Sequence, residues 1–202
     1  MTGLDAMVHA IEAMTSRSKK NTLSDMFGRE ALKTLGANIL KATGDESGDG
    51  KVRENMLLGS MYAGMAFANA PVGAVHALAY PIGTLFGVPH GLSISLVLPP
   101  VLRFNAARSD MATKVYAESA DLLFPAESLL LKSDGEKTNF LVSKFENLAT
   151  QLGLKTRLRD VGVKEKDLAR LCDDAMKQTR LLPNNPAEVR KEDCFTLYRQ
   201  VF

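Results

Sequence analysis

The sequence has little of the chemistry that nucleic-acid-binding and secreted proteins use. It contains no tryptophan and only 6% aromatic residues, and its net charge of +2 comes from interleaved signs. Without a long basic stripe or a basic face rich in aromatics, no nucleic-acid partner is expected. The two cysteines, Cys172 and Cys194, form no C-x-x-C pair. This argues against a disulfide framework and a zinc finger, and predicts free thiols in a cytoplasmic protein.

Apolar runs long enough to cross a membrane are missing as well. The long uncharged stretch from Asn55 to Pro100 is broken by glycine and proline, so no membrane association is predicted. The N-terminal residues, Met1 to Asp5, lack the basic start and apolar centre of a secretory signal. Localisation is therefore expected to be cytoplasmic. With 202 residues, of which 46% are apolar, the chain can bury the core of one domain spanning residues 1–202.

Apolar residues recur at steps of three and four along most of the chain, which is typical of amphipathic helices. The first predicted helix runs from Leu4 to Met14, the second begins near Ser24, and the third spans Lys51 to Asn69 and ends before Pro71. The small residues of the third helix predict that it is the most buried. No long alternating pattern predicts a strand, so we expect an all-α, bundle-like domain of eight or nine helices. The later helices are predicted roughly over Leu92–Phe104, Met111–Leu123, Asn139–Leu152, Lys166–Lys177 and Glu192–Val201.

Several segments are expected to interrupt or connect these helices. Pro81 and Gly83 are predicted to break the helix that follows Gly73, because proline lacks a backbone donor. The segment Phe124 to Lys137 reads as a polar connection. In Pro183-Asn-Asn-Pro186, the two asparagines are assigned to turn chemistry. The predicted breaks and turns thus occur mainly at proline, glycine and asparagine residues.

The acidic turn from Thr43 to Gly50 resembles the start of a calcium-binding loop. A complete loop needs a bidentate glutamate at its twelfth position. Counted from Asp45, that position is Met56. We therefore predict no calcium site there.

The three histidines of the chain and one aspartate form a candidate metal site. Asp5 and His9 are four residues apart, which places them on one face of the first helix. His76 falls within a predicted helix, and His90 lies at the turn into the next one. One carboxylate and three neutral imidazoles suit Fe²⁺, Zn²⁺, Co²⁺ or Ni²⁺. We interpret the four residues as ligands of one divalent ion.

Each of these residues also has an ordinary alternative role. Thr2-x-x-Asp5 fits a capping box, in which the carboxylate reaches back to a free backbone N–H. A single histidine on an apolar helix is usually a hydrogen-bonded core residue. From spacing alone, both alternatives stay open.

Motifs in the first half of the chain share their order and spacing with a known family. These motifs are Asp5-x-x-x-His9, the segment Ala63 to Ala70, Gly73-x-x-His76 and, fourteen residues after His76, His90-Gly91. The chain resembles the C-terminal domain of the iron-containing (group III) alcohol dehydrogenases, and its helical layout extends the resemblance to the end. The family's fold is then a dehydroquinate synthase-like helical domain, and its four metal ligands map onto Asp5, His9, His76 and His90.

The resemblance implies a chemical function as well. A metal ion, Fe²⁺ or Zn²⁺, polarises the oxygen of a small alcohol or aldehyde for hydride transfer with NAD(P). Phe67 matches a position near the substrate, and a packed core aromatic is its alternative role. Many members carry a second histidine where this chain has Tyr80, which makes Tyr80 the candidate catalytic residue beside the metal.

One family feature is missing from the sequence. No G-x-G-x-x-G or similar phosphate loop follows a strand-like run, and the glycines between Gly44 and Gly50 lie in an acidic turn that would repel phosphate. We therefore expect the family's N-terminal nucleotide-binding domain to be absent and turnover to be inefficient unless another polypeptide supplies it. A domain without its partner would expose an apolar face, which predicts a homo-oligomer.

Three alternative functions remain open at this point. The chain could be a non-catalytic, truncated helical domain with a role in assembly. It could belong to the hydroxyacid–oxoacid transhydrogenase branch of the same family. A metal-dependent hydrolase is the third alternative, although its usual adjacent His-Asp pair is missing.

Overall fold

The computed structural model describes residues 1–202 and contains ten α-helices, four short 3₁₀ segments and no β-strand. The all-α prediction is confirmed. The 3₁₀ segments are Lys41–Thr43, Leu158–Val161, Glu165–Asp167 and Leu182–Asn184. The α-helices are α1 (Thr2–Thr15), α2 (Thr22–Asn38), α3 (Gly50–Asn69), α4 (Ala74–Phe86), α5 (His90–Ala106), α6 (Asp110–Leu123), α7 (Pro125–Ser128), α8 (Asp134–Gln151), α9 (Leu168–Ala175) and α10 (Lys191–Gln200).

Helix α1 forms the centre of the core. Ten of its 14 residues are buried, and it packs against α2, α3, α5 and α6. Its largest buried side chains are Leu4, Met7, Ile11 and Met14, and the removal of each from water stabilises the fold by roughly 1.5–3 kcal/mol. They belong to one apolar cluster of 47 buried residues that reaches from Leu4 to Val201. The chain therefore folds around one main core, beside which Ala13, Ala66 and Ala70 form a small separate cluster.

Helix α3 is less buried than its small residues predicted. Only Val52, Gly59, Ala63 and Ala66 of its 20 residues are buried. A Cβ on Gly59 would lie 2.7 Å from Cγ of Leu35, so α3 does approach α2 closely. The opposite face of α3 is exposed to solvent. Small residues indicate how near one neighbouring helix lies, but they do not show how many helices surround it. The most buried helix is α1, with ten of 14 residues buried.

The prediction that Pro81 and Gly83 break α4 is wrong. The helix continues through both residues to Phe86 and ends at Gly87, whose φ of +66° forms a left-handed C-cap. Proline removes one backbone hydrogen bond, but Leu78 and Ile82 on either side of Pro81 are fully buried. Their packing holds the helix together across the missing bond. Helix α5 passes through Pro99 and Pro100 in the same way.

Capping residues explain where other boundaries differ from prediction. Helix α8 begins at Asp134, five residues before the predicted start, because Ser133 and Glu136 form a capping box. Helix α2 begins at Thr22, and the side chain of Asn21 caps it. The connection after Phe124 contains the one-turn helix α7, which brings the number of helices to ten. Proline at its first position favours that turn.

Cys172 and Cys194 are free thiols, as predicted, and both are buried. None of the helices combines the length and the apolar composition that crossing a bilayer requires.

Candidate metal centre

Three helices bring Asp5, His9, His76 and His90 together. Asp5 and His9 lie one turn apart on α1, His76 lies on α4, and His90 is the first residue of α5. Oδ1 of Asp5 is 3.4 Å from Nε2 of His76 and 3.5 Å from Nε2 of His90. The same oxygen is 3.8 Å from Nδ1 of His9. All three rings thus direct a nitrogen towards one carboxylate oxygen.

The four residues differ in how deeply they lie. One ligand atom each from Asp5, His9 and His76 lies within 4.8 Å of the other two. The ring of His76 is buried, whereas the side chain of His90 is 44% exposed. The rings of His76 and His90 are 5.5 Å apart between centroids. His76 is thus the buried member of the site, Asp5 and His9 are partly buried, and His90 lies at the solvent edge.

Two atoms at the centre are buried without a hydrogen-bond partner: Oδ1 of Asp5 and Nε2 of His76. Buried polar atoms are nearly always paired, and an unpaired one costs about 1–3 kcal/mol. Here an acceptor and a ring nitrogen face each other, with two more ring nitrogens close by. A cation bound between them would satisfy both atoms. The residues present therefore fit a divalent metal ion.

The capping-box alternative for Asp5 is wrong. Helix α1 begins at Thr2, so Met1 is the N-cap and no side chain caps the helix. Thr2 lies inside the first turn, where its hydroxyl cannot act as an N-cap. The backbone N–H of Asp5 donates to the carbonyl of Met1 at 3.1 Å. The Asp5 carboxylate does not cap the helix and lies beside the histidines instead.

Glu12 is a member of this site that sequence reasoning missed. Its side chain is buried, and Oε2 lies 2.6 Å from Nδ1 of His76. Oε1 accepts a hydrogen bond of 2.7 Å from the backbone N–H of Val75. The sequence did contain a signal: Asp5 and Glu12 are seven residues apart, which puts two carboxylates on one face of an otherwise apolar helix.

A loop near the C-terminus fixes the start of α4 and thereby positions His76. Oδ1 of Asn185 accepts hydrogen bonds from the backbone N–H of Ala74 at 3.2 Å and from the side chain of Asn105 at 3.1 Å. The Asn184 amide donates to the carbonyl of Val72 at 3.2 Å. Turn chemistry alone therefore does not describe the two asparagines. A Cβ on Gly73 would lie 3.1 Å from Cα of Asn185, so glycine allows this close approach without a displacement of the loop.

A second glycine brings His90 close to Asp5. A Cβ on Gly91 would lie only 2.8 Å from the carbonyl oxygen of Met1. The starts of α1 and α5 are therefore in contact, with His90 on one side of the contact and Asp5 one turn into α1 on the other. Only glycine permits this approach without a shift of the backbone.

Burial and the neighbouring charges shift the pKa values of Asp5, His9 and His76. Burial lowers the pKa of His9, and repulsion from His76 lowers it further, to about 4. Burial also disfavours charge on His76, but the carboxylates of Asp5 and Glu12 outweigh it and raise the pKa of that ring to about 9 in the metal-free protein. A metal ion bound at Nε2 would displace the proton from that nitrogen. Burial would raise the pKa of Asp5, yet the three histidines bring it below its ordinary value.

Two aromatic side chains flank the open side of the centre. The ring of Phe67, from α3, stacks on His9 with the centroids 4.4 Å apart. The ring of Tyr80, one turn after His76 on α4, lies 5.7 Å from that of His90 and 6.2 Å from that of His76. Both side chains are 37% exposed. Burial and the charges of Glu12 and Asp5 raise the pKa of Tyr80 above its usual value, so its hydroxyl stays protonated at neutral pH.

The chain is similar to proteins of one family along its whole length. The family described as Fe-containing alcohol dehydrogenase family, C-terminal, matches residues 1–202. The 1,3-propanediol dehydrogenase of Klebsiella pneumoniae is 32% identical over 201 residues, which are 100% of this chain and 50% of that protein. The lactaldehyde reductase of Escherichia coli (strain K12) is 34% identical over 198 residues, which are 98% of this chain and 49% of that protein.

Solved structures show the same relationship. An alcohol dehydrogenase from Oenococcus oeni matches with a TM-score of 0.90 and 27% identity, over 99% of this chain and 50% of the other. A crystal structure of a 1,3-propanediol oxidoreductase matches with a TM-score of 0.89 and 31% identity, over the same shares of the two chains. The chain therefore spans about half the length of these relatives. Since the family match covers every residue and the fold agrees, the chain belongs to the Fe-containing alcohol dehydrogenase family and corresponds to its C-terminal part.

Proposed function

We propose that the chain is the metal-binding part of a metal-dependent alcohol dehydrogenase or aldehyde reductase. Asp5, His9, His76 and His90 would hold one divalent ion, Fe²⁺ or Zn²⁺. The observation that carries the proposal is the buried pair of unpartnered atoms, Oδ1 of Asp5 and Nε2 of His76, which face each other at 3.4 Å. Nitrogen atoms of His9 and His90 lie within 3.8 Å of the same oxygen.

The donor set supports an ion with Lewis-acid character. One carboxylate and three neutral imidazoles leave a divalent ion with net positive charge, and imidazole suits iron and zinc alike. When bound, such an ion supplies the positive charge that polarises an alcohol or carbonyl oxygen for hydride transfer with NAD(P). Because His90 is partly exposed, the centre stays open to a substrate on that side.

Phe67 and Tyr80 would shape the substrate side of the centre. The partly exposed ring of Phe67 offers an apolar contact for a short carbon chain, and it holds His9 by stacking. Tyr80 keeps its hydroxyl proton at neutral pH and could donate it in a hydrogen bond to the substrate oxygen. Relatives named 1,3-propanediol dehydrogenase and lactaldehyde reductase support a small alcohol or aldehyde as the substrate class.

Binding of the nicotinamide cofactor would depend on contacts outside residues 1–202. The 202 residues contain no glycine-rich phosphate loop after a strand, which is the usual device for binding a dinucleotide pyrophosphate. The chain thus fits the metal and substrate side of the reaction. Binding of NADH or NADPH by this chain in the presence of metal and aldehyde would support a catalytic rather than a structural role.

Calorimetric titration of metal-stripped protein tests the metal site. We expect the parent to bind one equivalent of Zn²⁺, and of Fe²⁺ under anaerobic conditions, and the His76→Ala, His90→Ala double variant to lose this binding. Asp45→Asn, which alters an exposed carboxylate in the acidic turn, should bind like the parent. A folded parent without metal affinity, or a double variant with full affinity, would contradict the proposal.

A further inference from the structure

We propose that Glu12 is a positioning residue that keeps the proton of His76 on Nδ1 and leaves Nε2 free for the metal ion. The inference rests on the proposed metal site and adds to it a fifth side chain that is not a ligand. It follows from two short hydrogen bonds, from burial and from the chemistry of imidazole.

The carboxylate of Glu12 is held at both oxygens. Oε2 lies 2.6 Å from Nδ1 of His76, and Oε1 is 2.7 Å from the backbone nitrogen of Val75. Glu12 is 5% exposed and His76 is 1% exposed. Charge-assisted bonds of this length in the interior are about twice as strong as neutral ones. The pair is therefore fixed in one arrangement.

This arrangement decides which nitrogen of His76 can bind a metal. A carboxylate only accepts hydrogen bonds, so the contact requires a proton on Nδ1. In the neutral ring, the lone pair is then on Nε2. Nε2 is the atom that has no partner and lies 3.4 Å from Oδ1 of Asp5. Histidine ligands in metal sites are commonly oriented by a carboxylate on the far nitrogen, and losing it typically costs 10–100-fold in affinity.

The second oxygen of Glu12, Oε1, links the orientation of His76 to the backbone of α4. Val75 immediately precedes His76 and belongs to the first turn of α4, where the backbone N–H groups have no partner within the helix. A carboxylate at a helix N-terminus is also favoured by the helix dipole. Glu12 thus ties the α1 face that carries Asp5 and His9 to the part of α4 that carries His76.

Glu12→Gln tests the role while it preserves shape. Glutamine has one acceptor oxygen for two N–H groups, so its amide group must face either His76 or Val75. We expect Zn²⁺ affinity to fall about 10–100-fold. Tyr198→Phe is the matched control, because it removes a buried hydrogen bond to the carbonyl of Leu78 on α4 without touching His76. Its Zn²⁺ affinity should stay within about threefold of the parent.

Nitrogen NMR of the Zn²⁺-loaded parent provides a measurement that does not depend on any variant. We expect the Nδ1 proton of His76 to be present and hydrogen-bonded, and the metal to bind Nε2. Parent-like Zn²⁺ affinity of Glu12→Gln, an equal loss in Tyr198→Phe, or metal on Nδ1 would overturn the role of Glu12. If the parent binds no metal at all, the proposed function fails first, so the two failures are distinguishable.

Discussion

Oδ1 of Asp5 and Nε2 of His76 lie 3.4 Å apart, and neither buried atom makes a hydrogen bond. Other buried polar groups near this pair are satisfied: Glu12 bonds to Val75 and His76, and Asn185 bonds to Ala74. A fold that pairs its surrounding polar groups and leaves two facing atoms unpaired has a gap suited to a cation.

Metal should stabilise the parent and not an Asp5→Asn variant. At a Zn²⁺ concentration of about 100 times Kd, binding to the folded state adds about 2.7 kcal/mol to the free energy of unfolding. For a chain of this size, that corresponds to a rise in Tm of roughly 5–10 °C. The variant lacks the central carboxylate and should show no such rise. Thermal unfolding followed by circular dichroism, with chelator and with added metal, measures both proteins.

The same thermal unfolding experiment also detects Zn²⁺ binding at a different site. An equal rise in Tm for the parent and for Asp5→Asn would mean that Zn²⁺ binds elsewhere, and would count against the four-residue site. The thiols of Cys172 and Cys194 are then the next groups to alter.

Phe67 should contribute to metal affinity through its stack on His9. The rings lie 4.4 Å apart, and such a pair contributes about 0.5–1.5 kcal/mol. Phe67→Ala frees the imidazole to adopt other rotamers, so Zn²⁺ affinity should fall about 2- to 10-fold. Phe195→Ala is the control, because Phe195 on α10 has the same 37% exposure and should leave affinity unchanged. Parent-like affinity of Phe67→Ala would show that the stack does not hold His9.

Features set by local spacing could be predicted from the sequence. The apolar steps from Leu4 to Met14 predicted the extent of α1 almost completely, because apolar residues at steps of three and four indicate a helix. The spacing of Asp5 and His9 placed both on one side of that helix. The motifs around His76 and His90 added the family and the fold.

Features that depend on contacts between distant segments could not be predicted in this way. The role of Glu12 depends on His76, which lies 64 residues away, and no local pattern reports that pairing. Pro81 stays within α4 because Leu78 and Ile82 are buried, so tertiary packing outweighs the local preference of proline. The exposed face of α3 was missed because small residues do not reveal on which side a neighbouring helix is absent.

The same substitution at two glycines of α3 should change stability in opposite directions. A Cβ on Gly59 would lie 2.7 Å from Cγ of the fully buried Leu35, whereas a Cβ on Gly64 would meet no atom within 4 Å. Gly59→Ala should therefore destabilise the protein by about 1–3 kcal/mol through overpacking. Gly64→Ala should stabilise it by about 0.5–1 kcal/mol, since alanine loses less backbone entropy in a helix. Denaturation in urea measures both, and a shift of the same sign for both would contradict the packing of α3 on α2.

The exposed face of α3 should cause self-association. Leu57, Met61 and Met65 are exposed and follow one another at steps of four residues, which places them on one side of the helix. A row of large apolar side chains on the surface favours contact between copies. Sedimentation velocity at micromolar concentration should therefore show dimers or larger species for the parent. A Leu57→Lys, Met61→Lys double variant should shift the distribution towards monomer, because charge on this face opposes burial.

A second pair of exposed leucines distinguishes this face from apolar exposure in general. Leu129 and Leu130 are even more exposed than Leu57, but they lie in the turn after α7 and not in a helical row. A Leu129→Lys, Leu130→Lys variant should therefore associate like the parent. If both double variants become monomeric to the same extent, association depends on total exposed apolar area, and the α3 face has no special role. A parent that is monomeric throughout the concentration range would rule out self-association through either surface.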